Sequence, residues 1–207
     1  FENKVALLEG GVGAIATSTG QSAVLLAVSN LLKAGDHAVV SKTVYGGSYV
    51  LFGTRLKNLG IETTFIDPED SIDVLRQAFR PNTKLLFGET IGNPALNILD
   101  FDKLSTLAKA FDVPFVVDNT LATPYLCNPL KHGANIVVHS ATKYMGGHAT
   151  SLGGVVVDGG TYNWNNGKFP DFVNPDPLYA NTSYWHQFGK TAFINKGKAQ
   201  FLRDFGV

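Results

Sequence analysis

Residues 114–140 read PFVVDNTLATPYLCNPLKHGANIVVHS and contain two short apolar runs, each of which ends in polar residues. The runs at 114–119 and 135–140 are short, Val-rich and bounded by turn residues, so we predict that each is a buried strand. A third run of the same kind, GGVVVD, follows at 153–158. Strands that are apolar on both faces are typical of a parallel sheet covered by helices on both sides.

The same alternation of strands and helices extends to the start of the chain. Apolar runs predict further strands at 14–18, 37–41, 61–66 and 84–89. Amphipathic patterns predict helices from Gly20 to Gly35 and at 46–59, 70–79 and 101–111. The predicted fold class is therefore α/β, with a mostly parallel sheet sandwiched by helices.

The segment from about 160 to 185 has a different composition, crowded with Asn, Gly, Pro and aromatic residues. It predicts an irregular excursion, and loops of this length are usually functional or disordered.

Charge and composition exclude several classes of protein. The 207 residues carry 17 basic and 17 acidic side chains without a Lys/Arg cluster, which argues against a nucleic-acid-binding module or a binder of anionic membranes. The longest apolar stretch, at 23–28, is far too short to span a bilayer. The single cysteine, Cys127, excludes an intrachain disulfide, and no signal peptide is visible, so we expect a cytoplasmic protein.

Polar residues follow each predicted strand, and ligands of such sheets bind at the carboxyl ends of the strands. Gly20 and Gln21 open a helix, whose first N–H groups suit a phosphate. The positions after the strands hold Thr19-Gly20-Gln21, Tyr45, Asn93, Asp118-Asn119-Thr120 and Ser140-Ala141-Thr142-Lys143.

These residue types together suit pyridoxal phosphate. An amine such as that of Lys143 forms the Schiff base, a carboxylate such as Asp118 pairs with the pyridinium nitrogen, and an aromatic ring such as Tyr45 stacks on the pyridine. The hydroxyls of Ser140 and Thr142 are donors of the kind that phosphate oxygens accept. Taken singly, each residue has a simpler interpretation, with Asp118 as a turn cap, Lys143 as a solvated lysine and Tyr45 as a packing aromatic.

Three other features of the sequence are typical of different sites, but each departs from its pattern. Residues 11–16, GVGAIA, fit a dinucleotide fingerprint with Asp36 further on, but they precede a predicted strand instead of following one. The histidines at 132, 139 and 148 lack the short spacings of zinc ligands, so no metal is predicted. Cys127 has no matched histidine and is predicted to be a packed, inert thiol.

The string HSATKYMGGH at 139–148, with VVDNTLATPYL at 116–126, resembles the pyridoxal-phosphate enzymes of cysteine and methionine metabolism. The resemblance implies a fold-type I large domain in which Lys143 carries the cofactor and Asp118 pairs with its ring nitrogen. It also implies that Tyr45 stacks on the ring and takes part in proton transfer, and that Asn93 approaches the cofactor hydroxyl or the substrate carboxylate. The remaining cofactor contacts implied are Thr19, Gly20, Gln21, Thr120, Ser140 and Thr142.

Within that family, residues 125–164 and the aromatic excursion, which ends in FGKTAFINKGKAQFLRDFGV, are similar to the O-acetylhomoserine sulfhydrylases. The similarity implies γ-replacement, in which O-acetylhomoserine and sulfide, or a small thiol, give homocysteine and acetate. It also implies a homo-oligomer, a dimer of dimers with shared active sites.

Several alternatives stay open. They are a methionine γ-lyase, a cystathionine γ-synthase or lyase, an inactive fragment or scaffold, and a dinucleotide-binding oxidoreductase. We expect residues 1–207 to form the cofactor-binding domain alone, without the amino-terminal arm and the carboxy-terminal domain of the family.

Overall fold

The computed structural model describes residues 1–206, which form one seven-stranded sheet flanked by helices. The strands are β1 Gly13–Thr17, β2 His37–Ser41, β3 Glu62–Ile66, β4 Thr83–Glu89, β5 Phe115–Asp118, β6 Ile136–Ser140 and β7 Gly154–Asp158. The helices are α1 Glu2–Glu9, α2 Gly20–Ser29, α3 Gly46–Val50, α4 Leu56–Asn58, α5 Ile72–Arg76, α6 Phe101–Ala110, α7 Thr123–Leu126, α8 Pro170–Val173, α9 Tyr184–Phe188, α10 Ala192–Gly197 and α11 Arg203–Phe205.

The sheet has the strand order β1-β7-β6-β5-β4-β2-β3. The pairs β3–β2, β2–β4, β4–β5 and β5–β6 are parallel, whereas β7 is antiparallel to both of its neighbours. The strand β1 therefore runs in the same direction as β6, and six of the seven strands end at one edge. This arrangement confirms the predicted mostly parallel α/β sheet.

Both faces of the sheet are buried, as the continuous apolar runs predicted. Phe87 and Val116 face a core shared with α2, and Leu86 and Val117 face a second core shared with α6. Burial on both faces explains why these strands show no polar alternation.

The predicted strands all occur, but three helical predictions need correction. The helix α2 ends at Ser29 with Asn30 as its C-cap, not at Gly35; Gly35 instead adopts φ +90 in the turn before β2 and donates its N–H to Gly60 O at 2.8 Å. The helix predicted at 46–59 is interrupted by a π-helical turn at Leu51–Arg55. The helix predicted at 70–79 extends only from Ile72 to Arg76.

The excursion at 160–185 is packed against the main core. Trp164 is fully buried and stacks on Phe172 with ring centroids 4.4 Å apart, while Phe169 meets the indole edge-on at 5.2 Å. Its aromatic residues therefore supply core volume. The predicted irregular excursion contains short helical turns, among them α8, which carries Phe172. No helix within residues 1–206 has the length and apolar character needed to cross a membrane.

Candidate functional site

The candidate site lies at the edge where the parallel strands end. Asp118 is the last residue of β5, and Ser140 is the last residue of the adjacent β6. Thr120 links them, because its N–H and hydroxyl donate to Asp118 Oδ1 at 2.9 and 2.5 Å while its Oγ1 accepts from the Ser140 N–H at 2.8 Å. The two strand ends are thus held in a fixed relation by one threonine.

The carboxyl of Asp118 is largely withdrawn from solvent at this edge. Burial raises its pKa, and the two hydrogen bonds from Thr120 and the nearby His139 act in the opposite direction. No Lys or Arg of residues 1–206 forms a salt bridge with it. A buried carboxylate without a cation is costly, so this position favours a ligand that brings a positive charge.

The beginning of α2 lies next to these strands and presents N–H groups of the kind that bind anions. Thr19 caps the helix, and its Oγ1 accepts from the Ser22 N–H at 3.0 Å. The N–H groups of Gly20 and Gln21, in the first turn, have no intrahelical acceptor. A β-carbon on Gly20 would lie 2.5 Å from Ser140 Cβ, so only glycine allows this helix end to approach β6 so closely.

Tyr45 stands at the N-terminus of α3, with its side chain half exposed. Its ring lies against Gly47, where a β-carbon would be 2.5 Å from Tyr45 Cε1 and 3.4 Å from the Gln21 amide carbon. Gln21 Nε2 also donates to Ser48 Oγ at 3.1 Å. The turn that carries Tyr45 is therefore joined to the start of α2.

Lys143 lies in an exposed turn just beyond β6. Its N–H donates to Ser140 O at 3.2 Å, and its carbonyl accepts from the Gly147 N–H at 2.8 Å. Thr142 is engaged with Gly153, because its hydroxyl donates to the Gly153 carbonyl at 3.2 Å and accepts from the Gly153 N–H at 3.1 Å. These contacts fix the backbone of the turn.

All ten residues predicted from the sequence lie beyond or at the carboxyl ends of strands at this one edge. Hydrogen bonds connect Asp118, Thr120, Ser140 and the Lys143 backbone, and Gln21 meets Tyr45 at Gly47. Asn93 shares the edge only through its loop, four residues beyond β4, where its peptide bond to Pro94 is cis.

Two buried acidic residues were missed among the predicted site residues. Glu89 ends β4 beside Asp118 of β5, and its Oε1 accepts from the Tyr45 N–H at 2.7 Å. Burial, and secondarily the charge of Asp118, raise the pKa of Glu89 to about 8. Its position at a strand end was the signal that could have identified it.

Glu9 of α1 forms a buried polar cluster beneath the strand ends. Its Oε1 lies 2.6 Å from His139 Nε2 and accepts from Asn119 Nδ2 at 3.0 Å. The His139 ring is therefore paired with the Glu9 carboxylate, on the side of the sheet that α1 covers. No local sequence pattern indicated this contact, because α1 itself was not predicted.

The structure also describes the residues of the dinucleotide and metal patterns and the single cysteine. Gly13 already belongs to β1, and the following helix begins only at Gly20, so residues 11–16 do not form the strand-to-helix turn of a dinucleotide site. Among residues 1–206, no three His, Cys, Asp or Glu side chains cluster as metal ligands. Cys127 is half-buried, and burial raises the pKa of its thiol, as an unreactive cysteine requires.

The residues of this edge fit pyridoxal phosphate. The group carries an anionic phosphate, a ring nitrogen that is cationic when protonated, and an aldehyde that reacts with an amine. The helix start at Gly20, which approaches Ser140 closely, suits the phosphate. Asp118, which has no cationic partner within residues 1–206, suits the protonated ring nitrogen, and the exposed amine of Lys143 suits the aldehyde. The fold and the site define the large domain of a fold-type I pyridoxal-phosphate enzyme.

Residues 1–191 match the family described as Cys/Met metabolism PLP-dependent enzyme, and the chain belongs to that family. It is 49% identical to the O-acetyl-L-homoserine sulfhydrylase of Leptospira meyeri and 45% identical to the homocysteine synthase of Schizosaccharomyces pombe. Both alignments cover 100% of this chain and 48% of the relative, so the chain spans about half the length of the curated relatives it matches.

A crystal structure from Campylobacter jejuni resembles the chain with a TM-score of 0.94 and 35% identity. The match covers 99% of this chain and 51% of that one, and that structure contains N′-pyridoxyl-lysine-5′-monophosphate. Its lysine is thus joined to the cofactor, which is the chemistry that the resemblance implied for Lys143. The fold class and cofactor predicted from the sequence are confirmed.

Proposed function

We propose that this chain is the cofactor-binding domain of an O-acetylhomoserine sulfhydrylase. The reaction joins O-acetyl-L-homoserine and sulfide to give L-homocysteine and acetate, with cleavage of the γ-carbon–oxygen bond and formation of a γ-carbon–sulfur bond. The observation that carries the proposal is the convergence of the start of α2, Asp118 and the Lys143 turn at one edge of the sheet. The sulfhydrylase from Leptospira meyeri, 49% identical, supports the choice of reaction.

Each side chain has a defined task in this proposal. The first N–H groups of α2 and the hydroxyl of Ser140 bind the phosphate, since helix N-termini and hydroxyls are natural donors to anions. The Thr142 hydroxyl, whose one proton is donated to the Gly153 carbonyl, turns from that carbonyl to bind the phosphate. Asp118 pairs with the ring nitrogen and keeps it protonated. The positive charge of the ring nitrogen in turn offsets the free-energy cost of burying the Asp118 carboxylate. Pyridoxal phosphate, when bound, supplies the electron sink that stabilises a negative charge at the substrate α-carbon.

Lys143 performs the proton transfers at the substrate. Its amine binds the cofactor, is displaced by the substrate amine, and then acts as the base that removes the α proton and moves a β proton. Tyr45 lies against the ring and serves as an acid or base in the later half of the reaction, after acetate has left. Asn93 approaches the cofactor hydroxyl or the substrate carboxylate from the loop after β4. Thr19 caps the first turn of α2, and Thr120 holds the Asp118 carboxylate by hydrogen bonds.

The test is an assay of homocysteine and acetate from O-acetylhomoserine and sulfide, with the protein and its Lys143→Ala variant. We expect turnover by the protein and its abolition in the variant, together with loss of the lysine-linked cofactor after borohydride reduction and peptide mapping. Lys131→Ala, at an exposed lysine outside the site, is the matched control and should be unchanged. Covalent attachment at another lysine would show that the assignment of Lys143 is wrong.

The same assay separates the alternative activities. Release of a thiol from methionine faster than homocysteine formation would favour a methionine γ-lyase, and turnover of cystathionine would favour a cystathionine enzyme. Cofactor binding without any turnover would favour an inactive scaffold. Dinucleotide binding without the visible absorption of pyridoxal phosphate would favour an oxidoreductase.

Location and assembly belong to the same proposal. We place the protein in the cytoplasm, because a chain with a single cysteine is typical of a reducing compartment and because its proposed substrates are small charged metabolites. We propose a dimer of dimers, for which the exposed apolar side chains beside the site, Leu96, Tyr125, Leu126 and Tyr144, provide contact surface. Light scattering of the purified protein measures the oligomer directly, and a monomer at micromolar concentration would contradict this part.

A further inference from the structure

We propose that Glu89 is a positioning residue that sets the place of Tyr45 over the cofactor ring, and that it does so as a neutral acid. The inference rests on the proposed function, because it assumes that Tyr45 contacts bound pyridoxal phosphate. It adds the last residue of β4 itself to a site whose other members come from β5, β6 and the segments that follow β1, β2, β4, β5 and β6.

The first observation is the contact between Glu89 and the turn that follows β2. Glu89 Oε1 accepts from the Tyr45 backbone N–H at 2.7 Å, immediately before the first residue of α3. Tyr45 is the N-cap of that helix and has no side-chain capping bond, and the hydrogen bond from its N–H joins its backbone to β4. This short hydrogen bond to the buried Glu89 restricts the direction in which the half-exposed Tyr45 side chain leaves the turn.

The second observation concerns the charge that Glu89 can carry. Glu89 and Asp118 are register partners on adjacent parallel strands, which lie ~4.8 Å apart. Phe87 and Val116, two residues before each of them, face the same core, so both carboxyls stand on one side of the sheet. Two neighbouring buried carboxyls cannot both ionise cheaply, and one of them retains a proton.

The surroundings decide which carboxyl keeps the proton. Asp118 receives two hydrogen bonds from Thr120, whereas Glu89 receives the single bond from the Tyr45 N–H. Lys42, which follows β2 on the other side of Glu89, pairs with Asp67. Burial raises the pKa of both carboxyls, but two hydrogen bonds from Thr120 and the nearby His139 oppose this at Asp118, whereas only the Tyr45 N–H opposes it at Glu89. Glu89 therefore holds the proton and leaves Asp118 as the charged partner.

The experiment is a set of pyridoxal phosphate titrations of the intact protein near pH 7, with three variants of Glu89. Glu89→Gln keeps a neutral oxygen acceptor for the Tyr45 N–H. Glu89→Met has a side chain of similar length that lacks this acceptor, and the side chain of Glu89→Asp is one methylene too short for its carboxyl to reach the Tyr45 N–H. We expect Glu89→Gln to bind within about threefold of the parent and Glu89→Met and Glu89→Asp to bind about tenfold more weakly. If Glu89→Met fails to fold, as thermal unfolding will show, Glu89→Asp carries the comparison.

A double-mutant cycle with Tyr45→Ala provides a readout that a purely structural role would not move. Since Glu89 acts through Tyr45, Glu89→Asp should cost little further affinity once the ring is absent, and the circular dichroism of the bound cofactor should change only when Tyr45 is present. Fully additive losses, or a Glu89→Gln variant as impaired as Glu89→Asp, would overturn the inference while leaving the proposed function intact. A parent protein that binds no pyridoxal phosphate would overturn both.

Discussion

Gly20 at the start of α2 and Ser140 at the end of β6 approach so closely that a β-carbon on Gly20 would lie 2.5 Å from Ser140 Cβ and 2.8 Å from Ser140 Cα. The second of these atoms belongs to the backbone, so rotation of a side chain cannot relieve the overlap. The contact brings the unsatisfied N–H groups of a helix against the strand end that leads to Lys143. In the proposed function it is the point at which the phosphate-binding and amine-bearing parts of the site meet.

A first prediction concerns Gly20→Ala. The added methyl group must push the start of α2 away from β6, which separates the helix N–H groups from the hydroxyls after the strand. We expect pyridoxal phosphate to bind at least about tenfold more weakly, which corresponds to ~1.4 kcal/mol, while pyridoxal without its phosphate loses little. Titration of both compounds measures the difference.

The control for that variant is Gly153→Ala, at a glycine of the same edge whose β-carbon would meet Ala141 Cβ at an ordinary 3.6 Å. It should bind both compounds as the parent does. An equal loss for pyridoxal and pyridoxal phosphate in Gly20→Ala would contradict a phosphate-binding role for this helix end.

A second prediction concerns Asp118→Asn. The asparagine oxygen can still accept both hydrogen bonds from Thr120, so the fold should persist, but the charge that holds the ring nitrogen protonated is lost. We expect cofactor binding to weaken about tenfold or more and turnover to fall by about a hundredfold or more. Each unit by which the pKa of the ring nitrogen falls is worth ~1.4 kcal/mol, or about a factor of ten, so these losses correspond to about one and two units. Equilibrium dialysis and the sulfhydrylase assay measure the two effects.

Asp102→Asn, at an exposed aspartate in the first turn of α6, is the matched control. Turnover of Asp118→Asn close to that of Asp102→Asn would show that the pairing with the ring nitrogen is misassigned.

A third prediction concerns the buried cluster beneath the strand ends. Glu9→Ala removes the partner of His139 Nε2 and an acceptor of Asn119 Nδ2, and leaves both buried. We expect the free energy of unfolding to fall by about 3 kcal/mol, the scale for breaking a buried pair by removal of one member. Urea denaturation measures it, with Lys4→Ala on the exposed face of the same helix as the control. A loss no larger than that of Lys4→Ala would mean that the cluster contributes nothing to stability.

A fourth prediction uses Asp158, which ends β7 at the opposite edge of the sheet. Its Oδ1 accepts from the Gly160 N–H at 2.8 Å, its Oδ2 is buried without a partner within residues 1–206, and burial raises its pKa to about 7. The unfolded carboxyl titrates near its ordinary value of about 4, so the folded form binds the extra proton between these two pKa values. Stability is therefore full below about pH 4 and decreases as the pH rises through about 7.

Asp158→Asn should remove this dependence, because its amide is neutral at every pH. From pH 5 to pH 8 we expect the parent to lose about 2–3 kcal/mol relative to the variant, as a raised carboxyl pKa requires. Urea denaturation at both pH values measures it, with the exposed Asp73→Asn as the control. Parallel curves for parent and Asp158→Asn would show that Asp158 ionises freely in the folded protein.

Much of the fold could be predicted because its signals are local. Val-rich runs such as 135–140 and turn residues between them specify strands without reference to distant parts of the chain. The departures occur where a distant contact overrides the local pattern. Gly35 has the sequence context of a helix C-terminus, yet it lies in a turn after the helix and donates its N–H to the Gly60 carbonyl. Trp164 and Phe172 lie in an apparently irregular segment, yet their stacking fills the core.

The sequence by itself determined the α/β alternation and the chemistry placed after each strand, including Lys143, Asp118 and Tyr45, because residue type and spacing are properties of a single segment. Only the tertiary structure decided that Glu89 stands beside Asp118 and reaches Tyr45, and that Glu9 lies beneath His139. The pairing of strands that are far apart in the chain creates these contacts. Burial then converts ordinary carboxyls into groups whose proton and charge depend on their neighbours.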